Sequence, residues 1–251
     1  MSASGDKNEY WVKRADQPID ELSVSPDAKS MGYEKWSRSK LQQWTLAQLD
    51  KHATWDHLVD LGCGFGDFTA TFAARAKKVT ACDLAPAFAA EAQRRLDAIG
   101  HPDARVAAAD VVAFDDYHDA SVVYLGGVLT YLDDDDARTV IRRVHDRLTP
   151  DGIVAQRDWC VIGFGKEKVN QQDGKFSVHR SPASYVKLFE SCGLTLVKKR
   201  ISPYIYGEQM TRETVRAEWL VTALGWLPQA LWRLGTLHWY DCSATFIYRR
   251  A

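Results

Sequence analysis

The sequence predicts an α/β fold: a largely parallel sheet with helices packed against it. Three observations carry this. Short apolar runs of strand length alternate with longer stretches of helical period. The first run leads into a glycine-rich turn, Gly62-Cys63-Gly64-Phe65-Gly66, with a helical stretch behind it. Aspartates, Asp83 and Asp110, close the second and third runs. Strand–helix alternation is the pattern of parallel strands joined by helical crossovers.

Residues 1–30 are polar and mixed, broken at Pro18 and Pro26. They read as an arm, part of which docks through Tyr10 and Trp11. Trp36, Leu41, Trp44, Leu46 and Leu49 recur at near-helical spacing and predict a helix from about 32 to 52. We therefore divide the chain into an N-terminal arm or lid, 1–35, and one domain, 36–251. Strands are expected at 57–62, 78–83, 104–110, 120–126, 153–159, 194–202 and 242–250. Helices are expected at 68–76, 87–99, 134–148 and 182–192. Asp133 to Asp136 read as the start of the 134–148 helix, where the dipole favours negative charge, rather than as a metal site. Thr149-Pro150-Asp151-Gly152 has the composition of a turn. Ser181 is a cap for a helix with Pro182 in its first turn.

The 251 residues suffice for one large domain with a self-supporting core. Thirty-two basic and 33 acidic side chains leave a formal charge of −1, which argues against a dedicated nucleic-acid binder. The five cysteines form no CxxC pair and no zinc spacing, and they read as buried free thiols. No metal is expected. MSASGDKNEY lacks the apolar core of a signal peptide, so the expected location is cytoplasmic.

The stretch Val59-Asp60-Leu61-Gly62-Cys63-Gly64-Phe65-Gly66 carries the most chemistry. It reads strand, GxGxG, helix, and glycine lets backbone approach a ligand closely. A dinucleotide fingerprint wants glycine at the next position but one after Phe65, where Asp67 stands. A carboxylate in that turn repels a pyrophosphate, whereas a cationic ligand without phosphates meets no such objection. Asp83 and Asp110 stand at the carboxyl edge of the sheet, where open α/β sheets bind ligands.

These motifs together resemble the class I S-adenosylmethionine-dependent methyltransferases over about residues 36–200 and the last strand. VDLGCGFG is similar to the family's first motif, TACDLAP to its ribose-binding motif and AAADVVAF to its adenine-side motif. VVYLGGVLTYLDDDD and RLTPDGIVAQRD resemble its fourth and fifth strand motifs. The resemblance implies a Rossmann-like, seven-stranded sheet with an antiparallel last strand and helices on both faces. It also implies S-adenosyl-L-methionine as cofactor. By the same resemblance Gly62 and Gly64 line the cofactor, Asp83 with Leu84 holds the ribose, and Asp110 with Val111 meets the adenine. Asp60 faces the methionine ammonium, and Gly126 lies near the methionine.

Methyl transfer needs the acceptor held in line, and a base only when the acceptor must lose a proton. Two residues are nominated for that work. Asp158 is a base or an amine-orienting group, or else an ion-pair partner of Arg157 or another arginine. His179 is a base, or else an exposed loop histidine. Trp11 and Tyr131 are nominated for the acceptor: Trp11, with Tyr10, as a lid or a docked aromatic pair, Tyr131 as pocket wall or as packing for the next helix.

About forty residues, 203–241, separate the last two strands, where the family commonly has a short hairpin. The segment holds Trp219, Trp226, Trp232 and Trp239 and reads as a helical insertion. Gln229, Arg233, His238 and Pro228 argue against a transmembrane span. Packing on the core, covering an acceptor pocket, and surface contact by 211–240 with a membrane or partner all stay open, as does oligomerisation. The expected function is methyl transfer from S-adenosylmethionine to O or N of a small or mid-sized, partly apolar metabolite. The alternatives are a protein N-terminal α-amine methyltransferase, which residues 153–200 faintly resemble, and a methyltransferase-like binding partner without catalysis.

Overall fold

The computed structural model describes residues 9–19, 23, 31–161, 167–172, 175–203 and 241–251. The expected helical insertion with its tryptophans falls outside the described residues, apart from the ends at 203 and 241.

Seven strands form one sheet: β1 (His57–Leu61), β2 (Lys78–Asp83), β3 (Arg105–Ala108), β4 (Ala120–Gly126), β5 (Leu148–Val161), β8 (Leu194–Pro203) and β9 (Asp241–Arg250). Their order is β3-β2-β1-β4-β5-β9-β8. The first five lie parallel, while β9 runs antiparallel to both β5 and β8. β1 is buried along its whole length and β4 almost so, which is why both read as unbroken apolar runs.

Side chains alternate across the sheet. Leu58, Val122, Tyr124, Ile153 and Ala155 belong to one core, shared with α2 (Met31–Leu49), α3 (Asp67–Ala73) and α4 (Pro86–Ala98). Val59, Leu61, Val123, Leu125 and Val154 belong to the other, shared with α5 (Asp134–Arg147) and α6 (Pro182–Glu190). Each of the leucine, isoleucine and valine side chains, fully buried, contributes roughly 1.5–3 kcal/mol. Asp133 caps α5 by accepting from the Asp136 amide at 3.0 Å. Ser181 caps α6 by accepting from the Ser184 amide at 3.1 Å. Cys63, Cys82, Cys160 and Cys192 are buried free thiols.

Three regions depart from expectation. The arm contains a short helix, α1 (Glu9–Ala15), whose Ala15 packs with Phe65, Ala85 and Phe88. Seven residues are too few for periodicity to declare a helix. Its neighbour α2 begins at Met31, so the expected boundary at 35/36 falls inside a helix. Residues 149–152 do not leave the sheet as a turn. They lie within β5, where the ladder slips from Ala120–Leu148 to Val122–Ile153, so the turn residues serve as a bulge. The expected polar loop after β5 contains a hairpin, β6 (Lys168–Gln172) and β7 (Lys175–His179). Among the described residues no helix is long and apolar enough to cross a membrane.

Candidate functional site

A cleft opens at the carboxyl edge of β1, β2, β4 and β5. Asp60, Gly62, Gly64, Asp83, Leu84 and Asp110 line it, as do Val111 and Gly126. Trp11, Tyr131 and Asp158 line it too. His179 does not. It stands in β7 opposite Lys168, with its Nε2 3.4 Å from Asn170 Nδ2. The expectation that it is a loop residue beside the reaction centre is therefore corrected: pairing of β6 with β7 fixes it in a separate hairpin.

The first loop is built by backbone conformation. Gly62 sits at φ +79°, and a Cβ there would come within 2.2 Å of Val128 Cγ2. Asp83 ties this loop to β2. Its Oδ2 accepts from the Gly64 amide at 2.8 Å and its Oδ1 from the Ala85 amide at 2.9 Å. Burial raises its pKa while those amides lower it. Each oxygen retains a lone pair for a hydroxyl group. Asp110 Oδ1 accepts from the Val112 amide at 2.9 Å, which orders the loop after β3.

Asp60 is 1% exposed. Its Oδ2 accepts from Thr69 Oγ1 at 2.6 Å, and its Oδ1 has no hydrogen-bond partner among the described residues. Burial pushes its pKa up to about 7. A cationic group brought to that oxygen would satisfy it. Asp67, which the repulsion argument used, is not an isolated charge. Arg38 grips it through Nε at 2.9 Å and Nη2 at 2.5 Å, and Gln42 adds a bond at 3.2 Å.

The side of the cleft formed by the ends of β4 and β5 is held by a clamp. After β4 the chain makes a 3₁₀ turn, Leu129–Tyr131. The Thr130 amide donates to Asp158 Oδ1 at 3.0 Å, and Gln156 Nε2 donates to Oδ2 at 2.7 Å. Asp158 is 1% exposed, and burial pushes its pKa up to about 7 against those two donors. The ion pair with Arg157, one of its expected readings, does not form. Arg157 turns away, and its Nε donates to Ser243 Oγ at 3.2 Å. Arg180, 3% exposed, fastens the turn from beneath. It donates to the Leu129 carbonyl at 2.7 Å, the Leu132 carbonyl at 2.8 Å and Asp134 Oδ1 at 2.8 Å. Tyr131 is thereby presented to Trp11, their rings 5.0 Å apart and edge-to-face.

Residues 58–152 match a family model described as a methyltransferase domain. The sheet around that stretch has the class I methyltransferase fold. The solved structure of a Leishmania major protein described as a SAM-dependent methyltransferase superposes with a TM-score of 0.68 at 18% identity, covering 98% of this chain and 82% of that one. Carboxy-S-adenosyl-L-methionine synthase of Chromohalobacter salexigens is 33% identical over 114 residues, 42% of this chain and 41% of that protein. Phosphoethanolamine N-methyltransferase 1 of Triticum aestivum is 25% identical over 189 residues, 73% of this chain and 35% of that protein. The chain thus spans 41% and 35% of the length of these curated relatives.

The cleft also takes in residues that sequence reasoning did not nominate: Arg38, Tyr124, Arg157 and Ser243 among them. Arg38 comes from α2, well before the first strand. Its one sequence signal is the Arg38–Gln42 polar pair, four apart on a helix otherwise read by its apolar face. Tyr124 sits within an apolar strand and looked like core. Its signal is Gly126 two positions on. A Cβ at Gly126 would lie 2.6 Å from Tyr124 Cε1, so the glycine leaves room for the ring.

Proposed function

We propose that the protein is an S-adenosylmethionine-dependent methyltransferase that methylates O or N of a small or mid-sized, partly apolar metabolite. The observation that carries the reading is Asp158: a buried carboxylate with its pKa near 7, in the same cleft as the strand-edge acids. The residues present fit the cofactor. Asp60 offers an unpartnered buried oxygen for the methionine ammonium, Asp83 offers lone pairs for two ribose hydroxyls, and Asp110 with Val111 borders the adenine. When bound, S-adenosylmethionine supplies an electrophilic methyl on its sulfonium.

The protein's own residues do the rest. The clamped turn fixes Asp158 and Tyr131 relative to each other, which orients an acceptor seated between them. Asp158 takes the proton that an amine or hydroxyl gives up; a base with pKa near the working pH suits that task. Trp11 and Tyr131 cover the acceptor with aromatic surface and exclude water, consistent with a partly apolar substrate.

The test is calorimetric titration with S-adenosylmethionine, with NADH as control, followed by mass spectrometry of acceptor mixtures that include peptides with free N-termini. Micromolar binding of the first ligand alone, weakened at least tenfold in Asp83→Ala, is expected. Absence of binding sinks the reading. Binding without turnover of any acceptor leaves a binding module, and methylated peptides would move the substrate class to protein N-termini.

A further inference from the structure

We propose that Arg157 and Tyr124 form an anion-binding subsite that selects methyl acceptors bearing a carboxylate or phosphate group. The inference rests on the cleft being a methyltransferase site and adds the substrate class. Two cations, Arg38 and Arg157, line the cleft among the described residues. Arg38 is committed to Asp67. Arg157 has no carboxylate partner among the described residues. It is steadied by Ser243 Oγ at 3.2 Å and by the Phe68 ring, 6.0 Å from the guanidinium carbon. Because Nε is used on Ser243, the two terminal amino groups remain as an end-on fork, the geometry that takes a carboxylate or phosphate in paired hydrogen bonds.

Tyr124 provides the second, independent observation. It is 3% exposed and lines the cleft, and its Oη has no hydrogen-bond partner among the described residues. A buried phenol is normally satisfied, so an orphaned one calls for a ligand. The Arg157 charge acts on this phenol, as do those of Asp60 and Asp67 with Arg38. Asp67 is spent on Arg38, and Asp60 is hydrogen-bonded by Thr69 and, with the cofactor bound, would be paired with its ammonium. An acid group on the ligand would accept from Arg157 and Tyr124 together. The acceptor's nucleophile would then lie towards Asp158, which lines the same cleft from the other face of β5.

The probes are inorganic phosphate and benzoate, titrated to about 50 mM into protein saturated with S-adenosylhomocysteine and followed by phosphorus and proton NMR. At least one anion is expected to bind saturably with a millimolar Kd. Arg157→Met should weaken that binding at least tenfold and Tyr124→Phe about threefold, the second variant keeping the ring's shape. No saturable binding, or equal binding in Arg157→Met, overturns the proposal. A tenfold loss of S-adenosylhomocysteine affinity in Arg157→Met with anion binding intact also overturns it, since the guanidinium would then serve the cofactor's own carboxylate. If wild-type protein binds no S-adenosylhomocysteine, the methyltransferase reading fails. The same titration on cofactor-free protein then decides the anion subsite by itself.

Discussion

Replacing Asp158 by asparagine should make the protein more stable at pH 8 and nearly inactive. The carboxyl is 1% exposed, and burial carries its pKa from 3.8 to about 7. The folded protein therefore holds this proton more tightly than the unfolded chain does. The group favours folding below pH 3.8, and that contribution is lost as pH rises through about 7. Above that, the buried charge costs the folded state at most roughly 4 kcal/mol, at about 1.4 kcal/mol per tenfold change in proton affinity. Asparagine keeps the shape and removes the charge. Its oxygen still accepts from Thr130, and its amide finds an acceptor if Gln156 flips, because Gln156 Oε1 has no partner among the described residues. Urea unfolding should give the variant a gain of about 1–3 kcal/mol at pH 8, shrinking towards zero at pH 4. Methyl transfer should fall roughly 10²–10⁴-fold. The wild-type rate should rise with pH and level off above about 7. A variant destabilised by the same amount at pH 4 and pH 8 would refute the reasoning, because it would mean that Asp158 is an ordinary ionised partner in the fold.

Gly126→Ala drives a methyl group against the Tyr124 ring, with contacts of 2.6 and 2.8 Å, and should cost about 1–3 kcal/mol in thermal unfolding. Arg180→Leu orphans the Leu129 and Leu132 carbonyls, whereas Asp134 can turn to solvent; the urea midpoint should drop by the equivalent of about 2–4 kcal/mol. Trp11→Ala should raise the acceptor KM about tenfold while S-adenosylhomocysteine affinity, measured by calorimetry, stays within about twofold. An equal loss in both constants would mean that α1 belongs to the cofactor half of the cleft.

Much of the fold was legible because its central strands are buried on both faces. HLVDL and ASVVYLG need no register to be recognised, and two helices that follow them carry side-chain caps, Asp133 and Ser181. The carboxylates at the strand edges were legible for a related reason: once a strand's end is known, the sheet's open edge is known. What was missed depends on tertiary placement. Lys168–Gln172 and Lys175–His179 pair with each other; KVNQQ shows no alternation, and KFSVH alternates over only five residues, too few to stand out beside a polar loop. Arg38 and Arg157 were not nominated for the cleft, because nothing in local spacing says that α2 and the end of β5 converge on Phe68. The Arg180 clamp joins residues some fifty positions apart, from Leu129 to the end of the hairpin, and no periodicity reports such a contact.

The antiparallel pairing at the sheet's far side has a temporal consequence. β5 finds its neighbour β9 roughly a hundred positions later, Ile153 against Arg249. During synthesis at bacterial or eukaryotic rates, the outer edge of β5 waits about 5–20 s for that neighbour to emerge. Val154, Ala155 and Gln156 stand on that edge, and all three are fully buried in the finished molecule. The nascent chain thus carries an uncovered, adhesive strand until β9 has been made. Yield in cells should accordingly respond to chaperone supply and growth temperature more steeply than the equilibrium stability of the folded protein would imply.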